Sequence, residues 1–468
     1  MGTDFFILMK SELSLAIILF VLIFIKVFRE DMSNASLFRL VNILLLLNLI
    51  VGFLCNSKGE LFGGMFRTDP VIGFEKSILN LGILLISLQS LEWSKLQKHF
   101  AEFYMLLLST LLGMFFMMSS GNFLMFYLGL ELSTIPLAAL SSFDFNKMKS
   151  SEAGMKLILS SAFSSAILLF GLSILYGCTG TLEFNALAPL ISSVDHLQLL
   201  AFILIFSGFA FKLSTVPFHF WTADVYEGSP VAVTAYLSVV SKASVIFILL
   251  TVLYTVFRNL GAAWYDLLAI LAVISMTFGN LFALRQDNIK RLLAFSSITQ
   301  AAYLLVGITE GSILGWSSVI YFILIYLCSN FALFGVVSFV SARYNKEMIA
   351  DYKGFYATNP FLSWVMVLAL FSLAGIPPTA GFFGKLFLLT SAATKGNTLL
   401  IIFASLNMVA SLYYYLRVVK AIFIDKNENP IEKTPLPLSL YLSLGVCIAG
   451  VLMLGIFPGV FQYIYKLF

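Results

Sequence analysis

The sequence predicts an all-α polytopic membrane protein with about fourteen transmembrane helices. Of its 468 residues, 60% are hydrophobic and only 11% are charged, and the mean hydropathy is +0.97. A soluble globular chain is usually about a quarter charged, so a water-soluble fold could not bury this much apolar surface. Apolar runs of spanning length follow one another with short connectors, which predicts that no extramembrane domain is present.

The individual spans follow from the length of each apolar run. A helix needs roughly 20 apolar residues to cross the hydrocarbon core of a bilayer. Runs of that kind begin near residues 12, 38, 73, 103, 121, 155, 198, 231, 264, 293, 314, 361, 398 and 437. We therefore expect fourteen helices with soft boundaries.

Lysine and arginine predict the orientation of these helices, because cytoplasmic loops carry an excess of both residues. Most of them fall in the odd-numbered connections. The even-numbered connections and the termini hold only Lys10, Lys58, Arg67, Lys76, Arg258, Lys395 and Lys466. Both termini are therefore expected to face away from the cytoplasm.

Two spans are interrupted by proline. The seventh reads FSGFAFKLSTVPFHFW, with Pro217 five residues after Lys212. The twelfth reads FSLAGIPPTAGFFGKLFLL, with Pro377 and Pro378 ahead of Lys385. Proline removes a backbone donor and clashes with the preceding turn. A broken helix persists at membrane depth only where protein or a water-filled cavity satisfies the freed backbone groups.

The two breaks lie five spans apart, which indicates an internal repeat. SSAILLFG at residues 164–171 in span six also resembles CSNFALFG at residues 328–335 in span eleven. Because five is an odd number of crossings, the second unit must be inverted, as in many transporters. The predicted division is an N-terminal three-helix segment (1–100), a first five-helix repeat (101–257), a second inverted repeat (258–425) and a C-terminal helix (426–468).

Five ionisable side chains lie within the predicted spans. They are Glu131, Lys156, Lys212, Lys242 and Lys385. Such groups are expensive in a membrane, so they normally face the bundle interior, have a partner and serve a function. The alternative is structural: a lysine can stabilise the carbonyls of a broken helix, a carboxylate can simply neutralise a lysine, and Lys156 can pair with Glu152 on the same helix.

The chemistry of this set favours protons over metal cations. A buried lysine can load and release a proton as a carboxylate approaches or retreats. Sodium would favour clustered carboxylates and carbonyls, whereas the set contains one acid and four lysines. His219 could join a relay, although a lone histidine beside a helix break is more often a structural hydrogen bonder.

The remaining charged residues near the first break have ordinary interpretations. Asp224 and Glu227 lie in a short polar link and are predicted to be helix caps. Lys290 and Arg291 are predicted to be inside-positive charges at a cytoplasmic turn. The four cysteines (Cys55, Cys178, Cys328 and Cys447) are far apart and lack metal-ligand spacing. The sequence also has no phosphate-binding glycine loop, nucleophile elbow or HExxH motif, so we expect no metal or cofactor in this chain.

Several motifs resemble a known family. They are YLGLELSTIPL around Glu131, EAGMK ending at Lys156, FKLSTVPFHFWTADVYEGSPVAVTAYLSVVSKAS from Phe211 to Ser244, KRLLAFSS, and GIPPTAGFFGK ending at Lys385. In order along nearly the whole chain, they resemble the antiporter-like membrane subunits of the proton-pumping NADH-quinone oxidoreductase, respiratory complex I. The segment PFHFWTADVYEGSP resembles that of N-type subunits, whereas the corresponding segment of L-type and M-type subunits resembles PLHTWLPDA.

The resemblance implies a fourteen-helix bundle with two inverted repeats in a bacterial inner membrane. It implies proton transfer by Glu131, Lys212, Lys242 and Lys385, with Lys156 as a contributor. NADH, FMN, iron–sulfur clusters and quinone would be bound by other subunits, and the neighbours would include antiporter-like subunit M and small subunit K. A subunit of a multisubunit sodium/proton antiporter is the alternative, and a purely structural scaffold is a third possibility.

One position departs from the family pattern. Many relatives carry a histidine after the serine pair in span ten, whereas this chain has Gln300 in FSSITQAAY. A glutamine cannot take up a proton near neutral pH. Any relay at this position is therefore expected to run through water.

Overall fold

The computed structural model describes residues 2–28, 32–54, 57–394, 396–457 and 459–468, so the expectations for Cys55 and Lys395 lie outside the described residues. The N-terminal segment contains α1 (Gly2–Leu8), α2 (Lys10–Phe28), α3 (Asn34–Phe53) and α4 (Pro70–Gln89). A short antiparallel hairpin separates α3 from α4. It consists of β1 (Gly59–Leu61) and β2 (Phe66–Thr68), with Glu60 opposite Arg67.

Two sets of helices follow. The first contains α5 (Leu91–Ser94), α6 (Phe100–Met118), α7 (Phe123–Ser141), α8 (Met148–Thr179), α9 (Phe184–Leu187), α10 (His196–Leu213), α11 (Phe220–Gly228), α12 (Val231–Tyr236) and α13 (Lys242–Thr251). The second contains α14 (Gly261–Ala283), α15 (Ile289–Ile308), α16 (Ile313–Tyr344), α17 (Phe355–Thr358), α18 (Pro360–Ala374), α19 (Ala380–Ala393) and α20 (Thr398–Phe423). The C-terminal part contains α21 (Leu438–Ile456) and α22 (Gly459–Lys466).

The predicted fold class is confirmed. In the described part of the chain, 13 helical segments are long and apolar enough to cross a membrane. The twelfth predicted span is divided into two shorter apolar helices, α18 and α19. Together these segments occupy the fourteen predicted positions. The seventh span is also broken, between α10 and α11, as its proline predicted.

The two five-span sets repeat the same packing. Helix α6 packs on α7 and α13, as α14 packs on α15 and α20. Helix α8 packs on α10 and α11, as α16 packs on α18 and α19. Both α8 and α16 contain 32 residues. Because each set has five crossings, the second is inverted relative to the first. The exact domain boundaries given above stay predictions.

The two breaks have the same local geometry. The C-cap residue is Ser214 for α10 and Gly375 for α18, and both lie in the left-handed region with φ values of 60° and 86°. In each case the next amide, of Thr215 or Ile376, donates to a carbonyl five residues back at 3.0 or 2.9 Å. These bonds satisfy carbonyls that a helix end would otherwise leave unpaired. At each break, part of the backbone hydrogen bonding that the helix loses is thus restored by the residues that directly follow it.

Helix α4 corrects one prediction. Lys76 was assigned to a connection, but it lies inside α4, which begins at Pro70 because the Asp69 carboxylate accepts from the Ile72 amide. The Lys76 ammonium lies 2.6 Å from the Glu12 carboxylate, and both side chains are only 2% exposed. The opposite charge on α2 explains how a lysine is accommodated inside this helix.

Glycines allow α6 and α7 to approach closely, and this contact gives a first prediction. A Cβ atom at Gly129 would lie 2.5 Å from the Met117 amide nitrogen, and one at Gly113 would lie 2.5 Å from the Ser133 amide nitrogen. Because backbone cannot move aside as a side chain can, Gly129→Ala is expected to destabilise the protein by about 1–3 kcal/mol. A lower thermal midpoint of the purified protein would show this.

Gly177→Ala is the matched control, since a Cβ atom at that helical position meets nothing within 4 Å. It is expected to leave stability unchanged or to raise it by up to about 1 kcal/mol, because alanine favours helix over glycine. Equal midpoints for the Gly129 variant and the wild type would contradict the proposed close contact.

Candidate functional site

Lys212 lies in the last turn of α10, directly before the first break. Its ammonium donates a hydrogen bond to the hydroxyl of Thr134 on α7. One turn earlier on α7, the Glu131 carboxylate accepts a hydrogen bond from Ser165 of α8 at 2.5 Å. Glu131 and Thr134 are three residues apart and so share one face of α7, but Glu131 and Lys212 are not an ion pair within 4 Å. They form one site, in which the Thr134 hydroxyl is the direct partner of the lysine.

Lys242 begins α13 and follows a π-helical turn, Leu237–Ser241. Its side chain is buried, and its ammonium donates to the hydroxyl and the carbonyl oxygen of Ser297, at 3.0 and 3.4 Å. The ring of Tyr226 lies 5.9 Å from the ammonium. No carboxylate in the described part of the chain forms an ion pair with it. Short π-helical turns often occur at functional sites, so the local backbone agrees with the functional interpretation.

Lys385 is buried in α19 and reaches back across the second break. Its ammonium donates to the carbonyl oxygens of Leu373 at 2.7 Å and Ala374 at 3.3 Å, which end α18. The Tyr303 ring lies 4.8 Å from the ammonium. These are the contacts expected of a lysine that stabilises a broken helix. They also hold the protonatable nitrogen of Lys385 at the break itself.

A chain of polar groups joins the surroundings of Lys385 to those of Lys242. The Gln300 amide of α15 donates to the Leu373 carbonyl at 3.1 Å and to the Tyr415 hydroxyl at 3.2 Å. Tyr415 and Ser296 share a hydrogen bond of 2.5 Å, and the next residue, Ser297, is the partner of Lys242. Tyr415 was not predicted from the sequence, because a tyrosine in a span carries no signal of its own.

Gln300 therefore has a defined role in this chain. It was expected to hold water, and its side-chain oxygen is buried without a protein partner. Its amide nitrogen bonds directly to protein on both sides, however, which the sequence did not predict. Buried polar atoms are usually hydrogen bonded, so this unpaired oxygen is an exception among the buried polar groups of α15.

The two repeats place different groups at equivalent positions. Asn122 and Asn288 cap α7 and α15, so Glu131 corresponds to Ser297 and Thr134 corresponds to Gln300. Thr134 contacts the side chain of Lys212, whereas Gln300 contacts the backbone of Leu373, the equivalent of Lys212. The repeats share their architecture but carry their charges at different places.

Lys156 differs from the other three candidate lysines. It forms the predicted pair with Glu152 at 2.5 Å, and it also lies 2.6 Å from Asp224. Its side chain is 39% exposed, so it is not buried among apolar groups as Lys242 and Lys385 are. Lys156 belongs to a charged cluster at one end of the bundle.

The cap interpretation of Asp224 and Glu227 is wrong. Both lie within α11, and both carboxylates bind the Arg291 guanidinium of α15 at 2.8 Å. Lys290 is also more than a loop charge, because it is buried and donates to backbone carbonyls at the end of α11. These contacts join residues about 65 positions apart, and nothing local in the sequence indicates them.

His219 is buried at the first break, beside the rings of Phe220 and Phe282. Its Nδ1 atom has no hydrogen-bond partner in the protein. Within the residues that the structure describes, no group of three or more histidine, cysteine, aspartate or glutamate side chains is placed to hold a metal ion.

Comparisons with known proteins agree with this architecture. Residues 120–411 match the family model described as NADH:quinone oxidoreductase/Mrp antiporter, transmembrane. NADH-quinone oxidoreductase subunit N of Phocaeicola vulgatus is 46% identical over 458 residues, which cover 97% of each chain. The chain belongs to the subunit N family of NADH-quinone oxidoreductases. Another member, subunit N of Azobacteroides pseudotrichonymphae, is 47% identical over 87% of this chain and 85% of its own.

Solved structures extend the likeness beyond the subunit N family. A chain of respiratory complex I from Thermus thermophilus with bound aureothin has a TM-score of 0.81 and 29% identity, covering 96% of this chain and 97% of that chain. A chain of the Mrp complex from Dietzia has a TM-score of 0.85 but 20% identity, covering 98% of this chain and 95% of that chain. The second match shows a shared fold alone.

Proposed function

We propose that this chain is a proton-translocating membrane-arm subunit of the NADH-quinone oxidoreductase, complex I. The observation that carries the proposal is the arrangement of Lys212, Lys242 and Lys385. Two of them flank backbone breaks. The third bonds to Ser297, whose neighbour in the chain, Ser296, is linked to the second break through Tyr415 and Gln300. Discrete ionisable groups joined by polar side chains are what proton transfer through a membrane requires.

Each residue has a separate role in this scheme. Glu131 lies one turn from Thr134, the direct partner of Lys212, so a change in the distance between the carboxylate and the ammonium would change the proton affinity of that lysine. Lys242 passes protons between the two repeats, and Lys385 takes up and releases a proton at the second break. Lys156 contributes at the charged end of α8, where Asp224 and Glu152 hold it.

The division of labour completes the proposal. NADH, FMN, the iron–sulfur clusters and quinone are handled by other subunits, so this chain takes part in the enzyme as a non-redox translocase. Its expected neighbours are antiporter-like subunit M and small subunit K. The positions of lysine and arginine support a chain whose termini both lie on the periplasmic side of a bacterial inner membrane.

Lys212→Ala and Glu131→Gln test the first site in the intact complex. Each is expected to lower proton pumping about tenfold, because each removes a group that exchanges or attracts the proton. Pumping is measured as NADH-driven acidification of inverted membrane vesicles and divided by the amount of assembled complex. The exposed residues Lys98 and Glu428 provide matched controls, and Lys98→Ala and Glu428→Gln should pump normally. Wild-type pumping by both site variants would refute the proposal.

A subunit of a cation/proton antiporter is the alternative. Its support is the Mrp-type fold likeness at 20% identity, whereas relatives named subunit N reach 46% and 47% identity. The two functions differ in what drives transport. Sodium efflux that depends on this chain in vesicles without NADH would favour the antiporter, and pumping that requires NADH oxidation favours complex I.

A further inference from the structure

Six charged residues join three helices at one end of the bundle. We call this cluster the charged joint, and it consists of Lys149 and Lys156 of α8, Asp224 and Glu227 of α11, and Lys290 and Arg291 of α15. Helices α8 and α11 belong to the first repeat, and α15 belongs to the second. The charged joint therefore connects the two repeats through the short helix that follows the first break.

Both carboxylates of α11 are held from two sides. Asp224 lies 2.6 Å from Lys156 and 2.8 Å from Arg291, and Glu227 lies 2.7 Å from Lys149 and 2.8 Å from Arg291. Residues three apart share one face of a helix, so a single guanidinium can bind both acids. Arg291 is thus the point at which the charges of α11 are tied to the second repeat.

The backbone of α11 is fixed by the neighbouring residue of α15. The buried ammonium of Lys290 donates to the carbonyl oxygens of Glu227 at 2.6 Å and Ser229 at 2.9 Å. These carbonyls lie at the C-terminal end of α11, where a cation is favourable. On the opposite side, a Cβ atom at Gly228 would lie 2.2 Å from the Lys149 carbonyl oxygen, so α11 also lies directly against α8.

Helix α11 is in turn connected to Lys212. The Trp221 indole nitrogen donates to the Phe211 carbonyl at 3.2 Å, and Phe211 immediately precedes Lys212. Asp224 is one turn further along the same nine-residue helix. A displacement of α11 therefore moves the turn of α10 that carries the lysine.

The second break has no equivalent of this arrangement. When the breaks are superposed at Pro217 and Pro378, the position of Asp224 corresponds to Lys385. Lys385 binds carbonyls of α18, within its own repeat. The α19 sequence AGFFGKLFLLTSAA contains no carboxylate. A charged connection between the repeats is thus a specific feature of α11 and not a general property of the fold.

Building on the proposed function, we propose that Arg291 is a positioning residue for proton transfer at Lys212. Through Asp224 and Glu227 it holds α11 at a fixed place relative to α15, and α11 holds the end of α10. Its guanidinium is 30% exposed, so the contacts are partly shielded from solvent and stronger than ordinary surface pairs. Loss of Arg291 would leave Lys156 and Lys149 bound to the acids of α11 and Lys290 bound to its C-terminal carbonyls, but it would remove the contact between those acids and the second repeat.

The test compares Arg291→Gln, Arg291→Lys and the control Arg343→Gln in the intact complex. Arg343 is exposed near the end of α16 and is not in the charged joint. For Arg291→Gln we expect the number of protons pumped per NADH oxidised to fall about three- to tenfold. We expect partial recovery in Arg291→Lys, which keeps the charge but lacks the planar guanidinium that binds both acids through Nη1 and Gln286 through Nε. The control should keep the wild-type ratio.

Two further measurements separate positioning from general stability. Hydrogen exchange of the amides of residues 220–228 should be about tenfold faster in Arg291→Gln, because α11 loses a tether. Asp224→Asn combined with Arg291→Gln should reduce the pumping ratio less than the product of the two single effects, since both remove one interaction.

The outcomes are distinguishable. If Arg291→Gln lowers only the amount of assembled complex, and the pumping ratio per complex stays at the wild-type value, Arg291 is structural and the inference is overturned. Unchanged exchange in α11 would overturn it as well. Normal pumping by both Lys212→Ala and Glu131→Gln would refute the proposed function itself, whatever the Arg291 variants do.

Discussion

Lys242→Met is expected to remove most proton pumping while leaving the complex assembled. Methionine is unbranched and apolar and is one heavy atom shorter than lysine, so it fills most of the same buried space without a charge. The variant loses the group that exchanges a proton between the two repeats. Ser297, the direct partner of Lys242, cannot replace it because its hydroxyl does not ionise. A loss of about tenfold or more is expected for removal of an essential proton-transfer group. NADH-driven acidification of inverted vesicles, divided by assembled complex, measures it.

Lys242→Arg separates charge from proton exchange. Arginine keeps the positive charge but does not release its proton in proteins. If Lys242 acts by exchanging a proton, the arginine variant is as inactive as the methionine variant. If Lys242 acts only as a fixed cation, the arginine variant retains pumping. Normal pumping by the assembled Lys242→Met complex would contradict any role for this residue in translocation.

The sequence predicts spans and breaks well because both depend on local properties. Apolar runs fix where a helix can cross the membrane, and Pro217 and Pro378 disfavour helix just after the points where α10 and α18 end. The five-span separation of the breaks was enough to predict the inverted repeat, and the packing of α8 and α16 confirms it. None of these predictions requires knowledge of which helices become neighbours.

The contacts at the site could not be predicted in the same way. Lys385 was identified as a candidate, but only the folded chain shows that it binds the Leu373 and Ala374 carbonyls across the break. Asp224 and Arg291 are each unremarkable in sequence, and they become partners because α11 and α15 come together. Ion pairs between distant segments depend on tertiary packing, which periodicity and composition do not encode.

Lys76 is the clearest case of a missed residue. It lies near the beginning of a predicted span, so it was assigned to the adjacent connection, yet it is buried as completely as Lys242. Its position within an apolar run, next to Glu75, was an available signal. The opposite charge that makes its burial possible, Glu12, lies on α2, 64 residues away. Only the fold shows that the two form a pair.

Lys76→Met is expected to destabilise the protein by about 3–5 kcal/mol, because it leaves the Glu12 carboxylate buried without its partner. One oxygen of Glu12 already lacks a hydrogen-bond partner, so the protein offers no ready substitute for the ammonium. The loss of the Phe66 and Phe115 ring contacts, at 5.3 and 5.7 Å from the ammonium, adds to the effect. The thermal midpoint of the purified complex and the amount of assembled complex in membranes measure the change.

The double variant Glu12→Leu with Lys76→Met tests whether the missing partner is the cause. Replacement of both members of a buried pair by apolar residues is often neutral, so the double variant should recover most of the stability lost by Lys76→Met. Lys95→Met is the control, because its pair with Glu92 involves a lysine side chain that is 58% exposed and should contribute about 0–1 kcal/mol. If the double variant were no more stable than Lys76→Met, the destabilisation would come from packing around the lysine and not from an unpaired carboxylate.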